Sequence, residues 1–157
     1  MTAQTTTATK SSIARDTIVL ERTYRAACDR VFRAWEDVEA RKRWSKPWPE
    51  MDLVYDRHDF RVGGTDIYRC GLNGVFNWTA EIQYLDIVHD KRLIFSERMA
   101  EDDKPQSAAL ITVELFAKGR ETLQIVSIHA LTLDGSDMLE GYVGSWNPVL
   151  DNLAKEF

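Results

Sequence analysis

Apolar residues recur along this chain in two rhythms, and the points where one gives way to the other mark its elements. Asp16 to Arg25 is rich in β-branched and apolar side chains and predicts a first strand. The rhythm then turns helical. Val31, Phe32 and Trp35 share one face of a short helix that Asp29 can cap. Asp37 starts a second short helix ending near Trp44, and Pro47 and Pro49 close it because proline cannot continue the hydrogen-bonded ladder. From Met51 to Leu131 the period falls towards two. Six strands are expected there: Met51 to Phe60, Thr65 to Cys70, Phe76 to Tyr84, Arg92 to Met99, Ala108 to Ala117 and Thr122 to Leu131. The clearest alternation puts Phe76, Trp78, Ala80, Ile82 and Tyr84 on one face. Gly63-Gly64 and Gly71-Leu72-Asn73-Gly74 read as turns, and the polar stretches Glu101 to Ser107 and Lys118 to Glu121 as further links.

The last segment is helical again, with Leu139, Tyr142, Trp146, Val149 or Leu150, Leu153 and Phe157 at steps of three and four. Asp137 with Glu140 resembles a capping box, Ser136 is a rival cap, and Pro148 is expected to kink the ladder. Consecutive strands with short links pair antiparallel, because parallel strands need crossover helices. The prediction is an α+β domain over residues 16–157: a curved seven-stranded antiparallel sheet, two short helices after strand 1, and a long C-terminal helix closing an apolar cavity. Residues 1–15, rich in Thr, Ser and Ala without an apolar core, read as a flexible tail and not a signal peptide.

Composition narrows the function classes. The 157 residues carry 20 Lys and Arg against 25 Asp and Glu, a net charge of −5 that argues against nucleic acid as the partner. The run Arg41-Lys42-Arg43 reads as the solvated face of its helix. No apolar run is long enough to span a membrane. Cys28 and Cys70 are far apart and form no CxxC, so a reduced, cytoplasmic setting is expected. His58, His89 and His129 are scattered, and neither a metal site nor a cofactor is expected.

The candidate chemistry lies on the faces expected to point inward. Glu97 shares parity with Leu93, Phe95 and Met99; His129 shares parity with Leu123, Ile125 and Leu131; Tyr84 lies on the apolar face of its strand. A carboxyl, an imidazole and a phenol in one cavity could orient a polar head group or act as acid and base. The competing reading makes Glu97 a strand-end residue and His129 a structural one, since a single bulge reverses parity. Trp35, Trp44, Trp48, Tyr68, Trp78, Phe95 and Trp146 complete the expected pocket, with Trp44 at its mouth. Aromatics at these spacings equally suit plain core packing.

Three stretches resemble the START-like, birch-pollen-allergen-like helix-grip superfamily (SRPBCC), and within it the stand-alone relatives of the heat-shock-protein ATPase activator C-terminal domain. They are VFRAWEDVEARKRW (Val31 to Trp44), the double-glycine turn, hairpin and following strand within Asp59 to Ser96, and GSWNPVLDNLAKEF (Gly144 to Phe157). Glu97 stands where that family often has an aromatic residue, and Ser145 separates Gly144 from Trp146. The resemblance implies the helix-grip fold and a cavity, not a reaction. The leading expectation is a binding protein for a hydrophobic or aromatic small molecule, with a homodimer allowed for. A cyclase- or hydrolase-like enzyme using Glu97, His129 or Tyr84 is the alternative. A chaperone-associated stress module comes third.

Overall fold

The computed structural model describes residues 11–157; most of the expected N-terminal tail, residues 1–10, lies outside the described residues. Strand β1 (Ile13–Tyr24) leads into helices α1 (Cys28–Glu36) and α2 (Val38–Trp44). Then come β2 (Met51–His58), β3 (Thr65–Leu72), β4 (Trp78–Val88), β5 (Arg92–Glu101), β6 (Lys104–Lys118) and β7 (Glu121–Leu133), and finally α3 (Met138–Ala154). All seven strands form one antiparallel sheet in the order β1-β7-β6-β5-β4-β3-β2. Because β1 and β2 are neighbours in sequence but sit at opposite edges, α1 and α2 must cross the end of the sheet between them.

Three register shifts interrupt the ladder, at Tyr55/Arg57, Tyr84/Asp86 and Met99/Ala100. Each extra residue bends its strand and adds twist, so the sheet curves around one face. Helix α3 closes that concave face. Leu150 and Leu153 are fully buried beneath it, and the Tyr24 hydroxyl donates to the Leu150 carbonyl at 3.1 Å. The helix runs unbroken through Pro148, and Ser145 and Asn147 donate from their side chains to the carbonyls of Gly141 and Val143.

Several boundaries differ from the sequence reading for local reasons. Ile13 to Arg15 are strand and not tail, because they pair with Leu133 to Leu131. Helix α1 is preceded by Ala27, which offers no side-chain cap, and Asp29 sits inside its first turn. Asp37 does cap α2, accepting from the Glu39 amide at 3.0 Å. At α3 the rival prevails: Ser136 Oγ accepts from the Met138 amide at 3.3 Å, while Asp137 makes no capping bond. The polar stretch 101–107 is no loop. Asp102 and Asp103, with φ of 48° and 64°, make a two-residue hairpin turn, and Glu101 pairs with Lys104 directly across it. Aspartate tolerates the left-handed region better than most residues, and such a turn matches the twist of the flanking strands.

The Gly63-Gly64 turn has a positional task. Gly63 has φ of +81°, and a Cβ on Gly64 would sit 2.2 Å from the Asp59 carbonyl oxygen. The turn clasps Tyr84 from both sides: the Gly63 amide donates to the Tyr84 carbonyl at 2.8 Å, and the Tyr84 amide to the Gly64 carbonyl at 3.0 Å. Tyr84 is thereby held opposite the start of β3, where the polar part of the interior is built.

Candidate functional site

Between the concave face of the sheet and α2 and α3 lies a cavity of about 140 Å³. Its walls are aromatic and aliphatic: Trp35 and Trp44 from the first two helices, Tyr68 from β3, Phe95 from β5, and Tyr142 and Trp146 from α3. Trp35 is the centre of this shell. Its ring meets Trp44 edge-on at 4.8 Å, stacks on Trp146 at 6.4 Å and leans on Phe95 at 6.4 Å. Its Nε1 donates to Gln124 Oε1 at 2.8 Å, and Trp44 Nε1 donates to the Ala34 carbonyl at 2.9 Å, so neither buried indole N–H is wasted.

Two charged side chains line the same space, Arg41 and Glu97. The sequence reading placed Arg41 on a solvated face with Lys42 and Arg43. That expectation is corrected: Arg41 is 4% exposed, whereas Lys42 and Arg43 reach Glu39 and Glu156 at the surface. Three successive helical residues point about 100° apart, so one of them can face inward while its neighbours stay in water. Arg41 shares the buried face of α2 with Ala40 and Trp44. Its Nη1 donates to Asp66 Oδ2 at 2.9 Å and to the Tyr84 hydroxyl, which itself donates to the same carboxylate oxygen at 2.5 Å. The other oxygen, Oδ1, accepts from the Asp59 amide at 3.1 Å and lies 3.0 Å from His58 Nδ1. Asp66 is wholly buried, and this ring of donors compensates its charge.

Glu97 lines the cavity, the inward of the two positions its strand parity allowed, beside Ile82 of β4 and Ala109 of β6. Burial drives its carboxyl up to about 7, against the opposing pull of the Arg41 charge and the Tyr68 phenol. A carboxyl whose folded pKa exceeds its unfolded one holds its proton more tightly when folded. The contribution of Glu97 to stability is therefore most favourable below about 4.5, falls as pH rises from there, and is fully lost above about 7. The shift from 4.5 to about 7 corresponds to a loss on the order of 3 kcal/mol. Glu97→Gln is accordingly expected to match the parent near pH 4 and to exceed its stability by that amount near pH 8. Urea unfolding at both pH values checks this, and equal stability near pH 8 contradicts it.

The structure brings six of the ten expected pocket residues to the cavity: Trp35, Trp44, Tyr68, Phe95, Glu97 and Trp146. The other four lie elsewhere. Trp48 is 44% exposed in the segment after α2, and Trp78 sits half-buried at the start of β4, outside the cavity wall. Tyr84 is buried but turns its hydroxyl to Asp66 and does not line the cavity. His129 is on the outer face, its Nδ1 3.2 Å from Thr17 Oγ1. Parity alone misassigns this residue because β7 is apolar on both faces. The inner set is Thr122, Gln124, Val126, Ile128, Ala130 and Thr132, while Leu123, Ile125 and Leu131 share the outer face with His129. The inward polar residues are satisfied locally: Thr122 donates to the Ala26 carbonyl at 2.7 Å, and Gln124 bonds Trp35 and Tyr24. The carboxyl, imidazole and phenol of Glu97, His129 and Tyr84 therefore do not converge. Among the described residues no cluster of His, Cys, Asp or Glu is placed to hold a metal, and no helix is long and apolar enough to cross a membrane.

Comparison with known proteins agrees with this architecture. A solved structure from Rhizobium loti matches with a TM-score of 0.83 at 35% identity, over 94% of this chain and 100% of that one. A second, a putative uncharacterized protein from Rhizobium leguminosarum, gives 0.79 at 29% identity over 92% and 95% of the two chains. A protein from Chromobacterium violaceum gives 0.74 at 26% over 88% and 94%. No curated protein matches significantly. The sequence model described as "Activator of Hsp90 ATPase homolog 1-like protein" matches residues 25–157, which takes in every element from α1 to α3. The chain belongs to that family, on a helix-grip fold.

Proposed function

We infer that this protein binds a small, largely apolar molecule in the cavity between sheet and α3. The observation that carries the reading is the cavity itself: an aromatic-walled space with two buried polar side chains, Arg41 and Glu97, at one place on its wall. Apolar walls with a few placed polar groups are the usual make-up of small-molecule sites. At about 140 Å³ the space suits one ring; an engineered apolar cavity of roughly 150 Å³ takes up benzene. Extended lipids and multi-ring polyketides need several times that volume, since drug-sized sites run from about 300 Å³ upwards. Both cysteines are free thiols, which supports a reducing, cytoplasmic setting for the binding protein. The chaperone-associated reading rests on the family description alone.

Native mass spectrometry of protein purified from its own source is expected to show a bound mass in the range of a one-ring compound. Titration with toluene is expected to change the fluorescence of the Trp35, Trp44 and Trp146 cluster saturably. No co-purifying mass together with no response to any one-ring compound defeats the reading.

A further inference from the structure

The polar end of the cavity contains an imbalance that its own residues leave uncorrected. Both hydrogen bonds of the Arg41 guanidinium leave from Nη1. Its Nε is buried and has no acceptor. A buried donor without a partner is costly, and an acceptor supplied from outside the chain removes that cost. The guanidinium is a planar fork whose free edge matches two oxygens held in one plane.

The groups around Glu97 show which acceptor fits. Arg41 faces it from α2, Tyr55 from β2, Tyr68 and Cys70 from β3, and Tyr142 from α3. Its neighbours on β4 and β6, Ile82 and Ala109, are apolar. Burial raises all three phenols and pushes the Cys70 thiol up to about 11, so these groups keep their protons. Glu97 is the member of this set that changes charge near neutrality. When it is protonated, the polar end presents donors from Arg41 and Glu97, and Asp66 is already saturated by its own partners. An ammonium group would meet the Arg41 cation there. A planar anion with two acceptor oxygens meets donors.

We propose that the cavity takes a compact one-ring carboxylic acid as its carboxylate, the two oxygens set against the free edge of Arg41 and beside Glu97, the ring between Trp35, Phe95 and Trp146. The proposal rests on the cavity reading above and adds the chemical class of the occupant. The carboxylate and an ionised Glu97 repel each other in a low-dielectric site, so one proton from solvent must enter with the ligand whenever Glu97 starts ionised. No covalent bond is made or broken.

The test compares benzoate, toluene and benzylamine by calorimetry on the intact protein, near pH 6 and near pH 8. Benzoate is expected to bind more tightly than toluene near pH 6 and about tenfold more weakly near pH 8 than near pH 6, following the protonated fraction of a carboxyl that titrates near 7. Near pH 8 its apparent enthalpy is expected to vary with the ionisation enthalpy of the buffer, reporting uptake of about one proton. Glu97→Gln, which keeps a neutral polar group in place, is expected to flatten the pH dependence. Toluene binding with benzoate no tighter overturns the proposal and leaves the cavity reading standing. Benzylamine binding in preference overturns it as well. If no ring compound binds at either pH, both fall. Benzoate affinity that is the same at both pH values overturns the role given to Glu97 and with it the proposal.

Discussion

Asp66→Ala is expected to cost about 3–5 kcal/mol of folding free energy, the range for breaking a buried ion pair by deleting one partner. At roughly 2–4 °C per kcal/mol for a chain of this size, the melting temperature falls by about 10 °C. The loss does not come from the Coulomb attraction alone. Removing the carboxylate takes away the acceptor of Arg41 Nη1 at 2.9 Å, of the Tyr84 hydroxyl at 2.5 Å and of the Asp59 amide at 3.1 Å. Arg41, 4% exposed and already carrying one unpartnered donor, becomes a buried charge without a counter-ion. That stranded charge is the largest part of the cost. Replacing both partners together, as in Arg41→Met with Asp66→Leu, removes it, and the double variant is expected to recover well over half of the loss. Urea unfolding of the parent, the single and the double variants measures this directly. A single-variant loss below about 1 kcal/mol, or a double variant no better than the single, shows that the cluster is not coupled as described.

The same cluster shows where sequence reading succeeds and where it stops. The elements were legible because period and punctuation agree: Asp37 caps α2, the double glycine turns before β3, and the alternation of β4 and β5 survives folding. The inward reading of Glu97 rests on its parity with Leu93 and Phe95, and the strand-end alternative stays open in the sequence because a bulge nearby, such as the one at Met99/Ala100, can reverse that parity. Arg41 could not be placed in that way. Adjacent cations carry no parity, and only the spacing of Ala40 and Trp44 hints at which of the three turns inward. Asp66 held the complementary signal, since it shares a strand face with Tyr68 and Cys70, both close to the cavity. A carboxylate on an inward face demands a cation, and α2 supplies the one that reaches it. His129 failed for the opposite reason. With apolar side chains on both faces of β7, hydrophobicity cannot choose a side; the choice falls to Thr122 and Gln124, whose partners on β1, α1 and the link between them are invisible in one dimension.

Trp35→Ala is expected to destabilise the protein by about 3–5 kcal/mol, the range for truncating a buried aromatic. Trp35 is 1% exposed, and the deletion removes contacts with Trp44, Trp146 and Phe95 at once. It also leaves Gln124 Oε1 without its donor in a position that is wholly buried, which contributes about 1–3 kcal/mol of that loss. Trp35→Phe separates the two parts, because it keeps a ring against Trp44 but cannot reach Gln124; its expected loss is the smaller, polar share. The vacated volume opens onto the existing cavity, since Trp35 is part of that wall. Indole is therefore expected to bind Trp35→Ala and raise its melting temperature with concentration, and to do so more strongly than for Trp35→Phe, which vacates less volume. Thermal melts across an indole series decide the matter. A Trp35→Ala protein as stable as the parent, or one that indole does not stabilise, denies that this side chain is both a support of the core and a wall of the site. If both roles hold, the size of the occupant is set by the same packing that holds α1 and α3 against the sheet, and a larger ligand can be admitted at this wall only by giving up part of the stability of the fold.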